Sequence, residues 1–155
     1  MKGNEKVIVN LNALLGDELA AANQYILHAE ICENWLYGKL HQTIKKRAID
    51  EMKHAEKLIA RILFLAGRPV VSQLGAVNIG SDVPDMHKKD WSSESKAIGD
   101  YNAAIKLAQE SGDGGTRELL ESILVDEEAH LDWIEGQREQ IAQMGAETYL
   151  GKQMD

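Results

Sequence analysis

Cysteine occurs once in the chain, at Cys32, and proline twice, at Pro69 and Pro84. A lone cysteine closes no internal disulfide, which excludes a disulfide-stapled scaffold and points to a reducing compartment. So few prolines leave room for long uninterrupted helices. Positive charge is in the minority: 17 Lys and Arg against 25 Asp and Glu give a formal net charge of −8. That balance argues against a nucleic-acid surface and mildly favours small cationic partners. No apolar run approaches the roughly 18 residues of a membrane span, and the opening Met1-Lys2-Gly3-Asn4-Glu5-Lys6 has no signal-peptide core. The expected location is the cytoplasm. With 155 residues, 44% of them hydrophobic, the chain is long enough for one domain with a real core, and disorder is not expected.

What the chain does contain is a repeated pair. Glu51 and His54 lie three residues apart inside one helical pattern, and Glu127 and His130 repeat the spacing in another. Residues at i and i+3 share a helix face, so each pair aims a carboxylate and an imidazole at a common point. Two such helices, with one Glu from each of two others, supply the ligand set of a di-metal carboxylate site in a four-helix bundle.

Periodicity locates the four helices. The first runs from about Asn4 to Asn34, with Glu18 in a stripe through Leu11, Leu14, Leu15, Ala22 and Tyr25. It either points inward or snorkels from the stripe's edge. His28 reads as a surface or interface residue. After Gly38 a second helix runs from about Lys39 to Ala66, its inner stripe Ile44, Ala48, Glu51, Ala55, Leu58, Ile62 and Leu65. An unpaired carboxylate there would cost several kcal/mol, so a cation is required. Lys or Arg would serve, but His54 alongside favours a metal. Gly67-Arg68-Pro69 ends this helix, and the irregular stretch to Val83 is long enough to cross the whole bundle and set the second and third helices parallel. Its Val70, Val71, Leu74, Val77 and Ile79 are expected to pack along a helix or a partner chain. Ser81-Asp82-Val83-Pro84-Asp85 starts a third helix reaching about Glu110, with His87, Trp91, Glu94, Ile98, Tyr101, Ile105 and Ala108 in line. His87 reads as a solvent-side or pore-side residue. Past the Gly112-Asp113-Gly114-Gly115 turn, Thr116 is the expected cap of a fourth helix, whose stripe is Leu120, Ile123, Glu127, His130, Ile134 and Ile141. Residues 146–152 suit a short terminal helix docked on neighbouring subunits.

Four carboxylates and two imidazoles suit iron or manganese and tolerate zinc. Two divalent cations balance four ionised glutamates, which explains so many acids in one buried spot. Tyr25, Tyr101 and Asp126 are candidates to hold the ligands. Met52 lies about 100° round the helix from Glu51 and, with Ile49, Ile59 and Leu63, forms a second apolar stripe facing away from the bundle centre. It reads as an interface filler, and across a twofold axis two copies could also grip one haem.

These residues resemble the bacterioferritin family over essentially the full length. The likeness is carried by Met1-Lys2-Gly3, Glu18, Asn23-Gln24-Tyr25, Asp50-Glu51-Met52-Lys53-His54-Ala55, Arg61-Ile62-Leu63-Phe64-Leu65, Asn78-Ile79-Gly80, Asp126-Glu127-Glu128 with His130, and Met144-Gly145 with Tyr149-Leu150. The resemblance implies an all-α, ferritin-like four-helix bundle with a long crossover and a short fifth helix, as one di-iron domain over residues 1–155. It implies a ferroxidase centre of two iron ions on Glu18, Glu51, His54, Glu94, Glu127 and His130, with Glu51 and Glu127 bridging. It further implies a 24-subunit shell built from dimers around a ferric mineral, a haem b or related porphyrin shared through Met52, and an iron-sulfur ferredoxin for iron release. Lys46 and Arg47 depart from the family's usual His and Glu, which puts an inner-surface iron site involving Asp50 in doubt. The competing readings are a rubrerythrin-like di-iron peroxidase without storage, against which the lack of a Cys-x-x-Cys pair counts, and a structural helical bundle without metal.

Overall fold

A computed structural model describes residues 1–155 as five helices: α1 (Glu5–Asn34), α2 (Gly38–Phe64), α3 (Val83–Glu110), α4 (Gly114–Met144) and α5 (Ala146–Gly151). Helix α1 packs along α2 and α3 along α4, each pair joined by a short turn, and α1 also meets α3. This is the expected four-helix bundle with a long link between α2 and α3 and a short fifth helix. No helix is long and apolar enough to cross a membrane.

The helix ends follow from local chemistry. Asn4 caps α1 by accepting from the Lys6 and Val7 N–H groups, and Asp82 caps α3 by accepting from Asp85 N–H, with Pro84 in the first turn. The cap of α4 is Asp113 rather than Thr116: Asp113 accepts from Thr116 N–H, and the buried Thr116 hydroxyl donates to it as well. Arg61 of α2 donates to both Asp113 and Thr116, which clamps the end of α2 to the start of α4. Helix α2 stops one residue before Leu65, where Ala66 takes a left-handed φ of 59° that glycine would adopt with less strain.

The predicted stripe of α2 is buried in full. That of α3 is rotated: Met86, Asp90 and Ala104 are buried, whereas Trp91, Ile98 and Ile105 are only half covered. Apolar side chains form two clusters. One joins Leu11, Leu15, Leu58, Ile62, Tyr101, Leu120 and Ile123, and the other joins Tyr25, Cys32, Leu40, Ile44, Met86 and Tyr149. Each buried aliphatic side chain contributes roughly 1.5–3 kcal/mol. Along every long helix the clusters fall on either side of the glutamates.

The crossover is held by polar pins rather than by its apolar side chains. Asn12 donates to Arg68 C=O and accepts from Val70 N–H, Gly16 C=O accepts from Gly75 N–H, Gln24 from Asn78 N–H, and His28 from Gly80 N–H. Residues 12, 16, 24 and 28 lie on one face of α1, so the link climbs that helix from end to end and delivers α3 parallel to α2. A Cβ at Gly16 would strike the Gln73 carbonyl oxygen, which is why the link lies so close there. Val71, Leu74 and Val77 stay exposed, so of the two expected settings a helix of the same chain does not supply their packing and a partner chain is the one left.

Two histidines expected at the surface are buried. His28 is fully covered between Gly80 N–H and Asp90 Oδ1, 2.9 Å from its Nδ1. His87 is buried against Trp133 and Tyr149. Tyr149 donates to Gln137 Oε1 at 2.6 Å, so its oxygen accepts from His87 Nε2–H at 3.0 Å. That pair draws α5 onto its own bundle. Burial, helped by the positive charge of Arg138, lowers the His87 pKa to about 4. An unfolded histidine titrates near 6.5, so between pH 6.5 and 4 only the unfolded chain takes up this proton, and stability falls as pH falls through that window. The effect is at most about 3 kcal/mol. A His87→Leu variant is therefore expected to lose less thermal stability than the parent between pH 6.5 and pH 4, as read by melting curves across that range.

Candidate metal centre

Glu18, Glu51, Glu94 and Glu127, one from each long helix, are all buried, and so are His54 and His130. Two groups result, Glu18-Glu51-His54-Glu127 and Glu51-Glu94-Glu127-His130, each with ligand atoms within 4.8 Å of one another. Glu51 and Glu127 belong to both. Glu127 sends Oε1 to within 2.9 Å of His54 Nδ1 and Oε2 to within 3.8 Å of His130 Nδ1. Glu51 does the converse, with Oε1 3.0 Å from His130 Nδ1 and Oε2 3.9 Å from His54 Nδ1. Each of these carboxylates therefore spans both halves, while Glu18 serves the His54 half and Glu94 the His130 half, at 3.5 and 3.4 Å.

The atoms converge without satisfying one another. Glu18 Oε2, Glu51 Oε1, Glu94 Oε2, Glu127 Oε1 and both imidazole Nδ1 atoms are buried and make no aligned hydrogen bond. Buried polar atoms without partners are destabilising by about 1–3 kcal/mol each, and here they share one small space. Two cations would satisfy all of them, and the donor set of carboxylate oxygens and imidazole nitrogens fits iron.

Around them lies a shell that fixes their orientation. His54 Nε2 is 2.9 Å from Asp126 Oδ2 and His130 Nε2 is 3.5 Å from Asp50 Oδ2, which turns both Nδ1 atoms inward. Tyr101 donates to Glu18 Oε1 at 2.5 Å and Tyr25 donates to Glu94 Oε1. Burial, followed by the neighbouring Glu94 and Glu18 carboxylates, raises both phenols well above their usual pKa, so they remain donors. Tyr25, Tyr101 and Asp126 thus stand where the sequence suggested. A layer behind them was missed: Gln24 donates to Asp90 Oδ1 at 2.8 Å, and Asp90 sits one turn before Glu94 facing His28. The only sequence signal for it is the four-residue step from Asp90 to Glu94.

A cavity of about 220 Å³ between α1, α3 and the crossover reaches this layer, with Glu18, Glu51, Glu94 and Glu127 at its inner end. Asp17, Ser92, Lys96 and Asp100 line its outer part.

Residues 8–144 match the model of the ferritin-like domain. The chain is 37% identical over 149 residues to a bacterioferritin of Brucella melitensis, covering 96% of this chain and 92% of that one. It is 39% identical over 137 residues to a bacterioferritin of Rhodobacter capsulatus, covering 88% and 85%. The chain belongs to the bacterioferritin family. A bacterial ferritin of Synechocystis is 38% identical with 99% of both chains covered, so the likeness extends over helices, crossover and C-terminal segment together.

Without metal, the layer retains protons. Burial raises the Glu51 carboxyl well above its usual range, reinforced by the Glu18 carboxylate, and burial reinforced by Glu94 does the same to Glu127. Burial also pulls His54 down, but the facing Glu127 and Glu18 carboxylates outweigh it and hold the imidazolium up to a pKa of about 11. A metal needs the imidazole neutral and the carboxylates ionised, so loading expels protons. Zn(II) titrated into the metal-free protein at pH 7 is expected to release at least one proton per chain, with affinity that rises with pH. Calorimetry in buffers of different ionisation enthalpy measures this, and a binding heat independent of the buffer would contradict it.

Proposed function

We propose that Glu18, Glu51, His54, Glu94, Glu127 and His130 bind two Fe(II) ions per chain as substrate within one domain spanning residues 1–155. The chain acts as a ferroxidase, oxidising Fe(II) to Fe(III). The observation that carries this reading is the crossed reach of Glu51 and Glu127, each offering one oxygen to the His54 half and the other to the His130 half. Two iron ions supply one electron each to a single oxygen or peroxide molecule. The residues contribute the rest: four carboxylates neutralise two divalent charges, Asp126 and Asp50 orient the imidazoles, and Tyr25 and Tyr101 keep the single-sided glutamates in place. In metal-free chain the raised carboxyls and the His54 imidazolium hold the layer together until iron displaces their protons.

The finer reading is iron storage and detoxification in the cytoplasm. Copies of the chain assemble as dimers into a hollow shell of 24 subunits, and ferric product is deposited inside. Membership of the bacterioferritin family supports this, as does the row of exposed apolar residues on the outer face of α2, Ile49, Met52 and Leu63. Met52 is 44% exposed there, so its thioether is free to reach a porphyrin. Two copies of Met52 would hold one haem b or related porphyrin between subunits, and the haem would supply an electron path for iron release, with an iron-sulfur ferredoxin as donor.

Rapid mixing of Fe(II) with aerobic protein tests the first reading. A Glu127→Ala or His130→Ala variant is expected to lower the initial rate by more than about tenfold, and an unchanged rate would overturn it. For the haem, the Met52→Leu variant is expected to lose the bound-porphyrin spectrum that the parent shows. Native mass decides storage: a mass near 24 chains supports the shell, whereas a monomer or dimer favours a non-storing, rubrerythrin-like peroxidase.

A further inference from the structure

The cavity that reaches the glutamate layer has a charged group across its outer part. Lys96 of α3 extends its ammonium to 2.6 Å from Asp100 Oδ2, one turn along the same helix, and to 3.2 Å from Asp17 Oδ2 on α1. All three side chains line the cavity and are substantially exposed. Farther in, the same cavity ends on Glu18, Glu51, Glu94 and Glu127, whose unpartnered oxygens are buried. Asp17 immediately precedes Glu18, so the outer carboxylate and the inner one are carried by the same turn of α1. Ala76, Asn78, Ser92 and Ser93, which also line the cavity, add no charge.

This arrangement sets a cation between two anions on the way to a layer that itself requires cations. An incoming divalent ion meets the ammonium first. With Lys96 in place, Asp17 and Asp100 are engaged and offer an ion less free negative charge; with Lys96 turned outward, both carboxylates are open to it. A long, exposed lysine side chain exchanges rotamers within nanoseconds, and surface pairs of this kind are weak, so displacement by a divalent ion is feasible.

We propose that Lys96 is a displaceable gate that sets the rate at which divalent metal ions enter the centre, with Asp17 and Asp100 as the carboxylates that receive an ion when the lysine swings out. This rests on the metal-binding reading of the six buried residues. The gate controls rate and not capacity, because neither Lys96 nor its partners belong to the buried groups.

Co(II) serves as the probe, since its visible absorption reports binding without any oxidation. Metal-free parent protein and a Lys96→Gln variant are mixed with Co(II) at low ionic strength, and the bimolecular loading rate and final stoichiometry are recorded. The variant is expected to load about 3- to 10-fold faster, with two Co(II) per chain in both proteins. Lys96→Arg is expected to stay within about twofold of the parent, and Lys96→Gln combined with Asp17→Asn and Asp100→Asn to lose the gain. Lys89→Gln is the control: Lys89 pairs with Asp85 on the same helix and lies outside the cavity, so it changes net charge equally but is expected to leave the rate unaltered. If the parent takes up two Co(II) per chain and Lys96→Gln loads no faster, or if Lys89→Gln accelerates loading as much, the gate is overturned while the centre stands. A parent that takes up no Co(II) overturns both.

Discussion

Four carboxylates confined to one buried layer repel one another, and most of what surrounds them is a response to that repulsion. An ionised group in an apolar interior is tolerated only when it is paired. The protein gives each glutamate an imidazole or a phenol at close range and leaves one oxygen on each uncommitted. Apolar clusters above and below hold the spacing. The layer can therefore fold with protons in place, and its uncommitted oxygens leave it able to accept cations.

How much of this the sequence reveals differs from helix to helix. Helix α2 alternates steps of three and four without interruption, so the inward direction of Glu51 followed directly from its apolar neighbours. Helix α3 is harder: Trp91 and Ile98 draw the apparent stripe away from its true axis, and His87, Glu94, Tyr101 and Ala108 mark it correctly. The Asp90, His28 and His87 positions were illegible for a different reason. Each is satisfied by a partner from a distant part of the chain, Gln24, Gly80 and Tyr149, and periodicity within a helix carries no information about such contacts. Helix ends were legible to within a residue or two, since capping is local; the exception in chemistry was Asp113, which displaced Thr116 because it lies where the first free N–H groups point.

The crossover shows how an irregular segment is made definite without a core of its own. Its exposed Val71, Leu74 and Val77 do little within one chain, yet the pins along α1 recur every turn or two and involve Gln24 and His28. Those two residues also face Asp90, which lies a turn from Glu94. Loop position and ligand position are thus set by one hydrogen-bonded group, so a disturbance of the link at Asn78 or Gly80 is transmitted to the His130 half of the centre.

The division of the bundle into two helical hairpins carries a consequence for how the molecule is assembled. Glu18, Glu51 and His54 belong to the first hairpin, and Glu94, Glu127 and His130 to the second, so neither owns a complete group: the first cluster borrows Glu127 and the second borrows Glu51. Contacts within a hairpin close short loops, whereas docking the two closes a long one and is entropically the harder step. An ion held by either group would be coordinated across that seam and would act as a removable cross-link whose grip is felt only after the halves have met. Metal is then expected to slow separation of the hairpins far more than it hastens their formation, and the empty protein to breathe along this seam before it opens anywhere else.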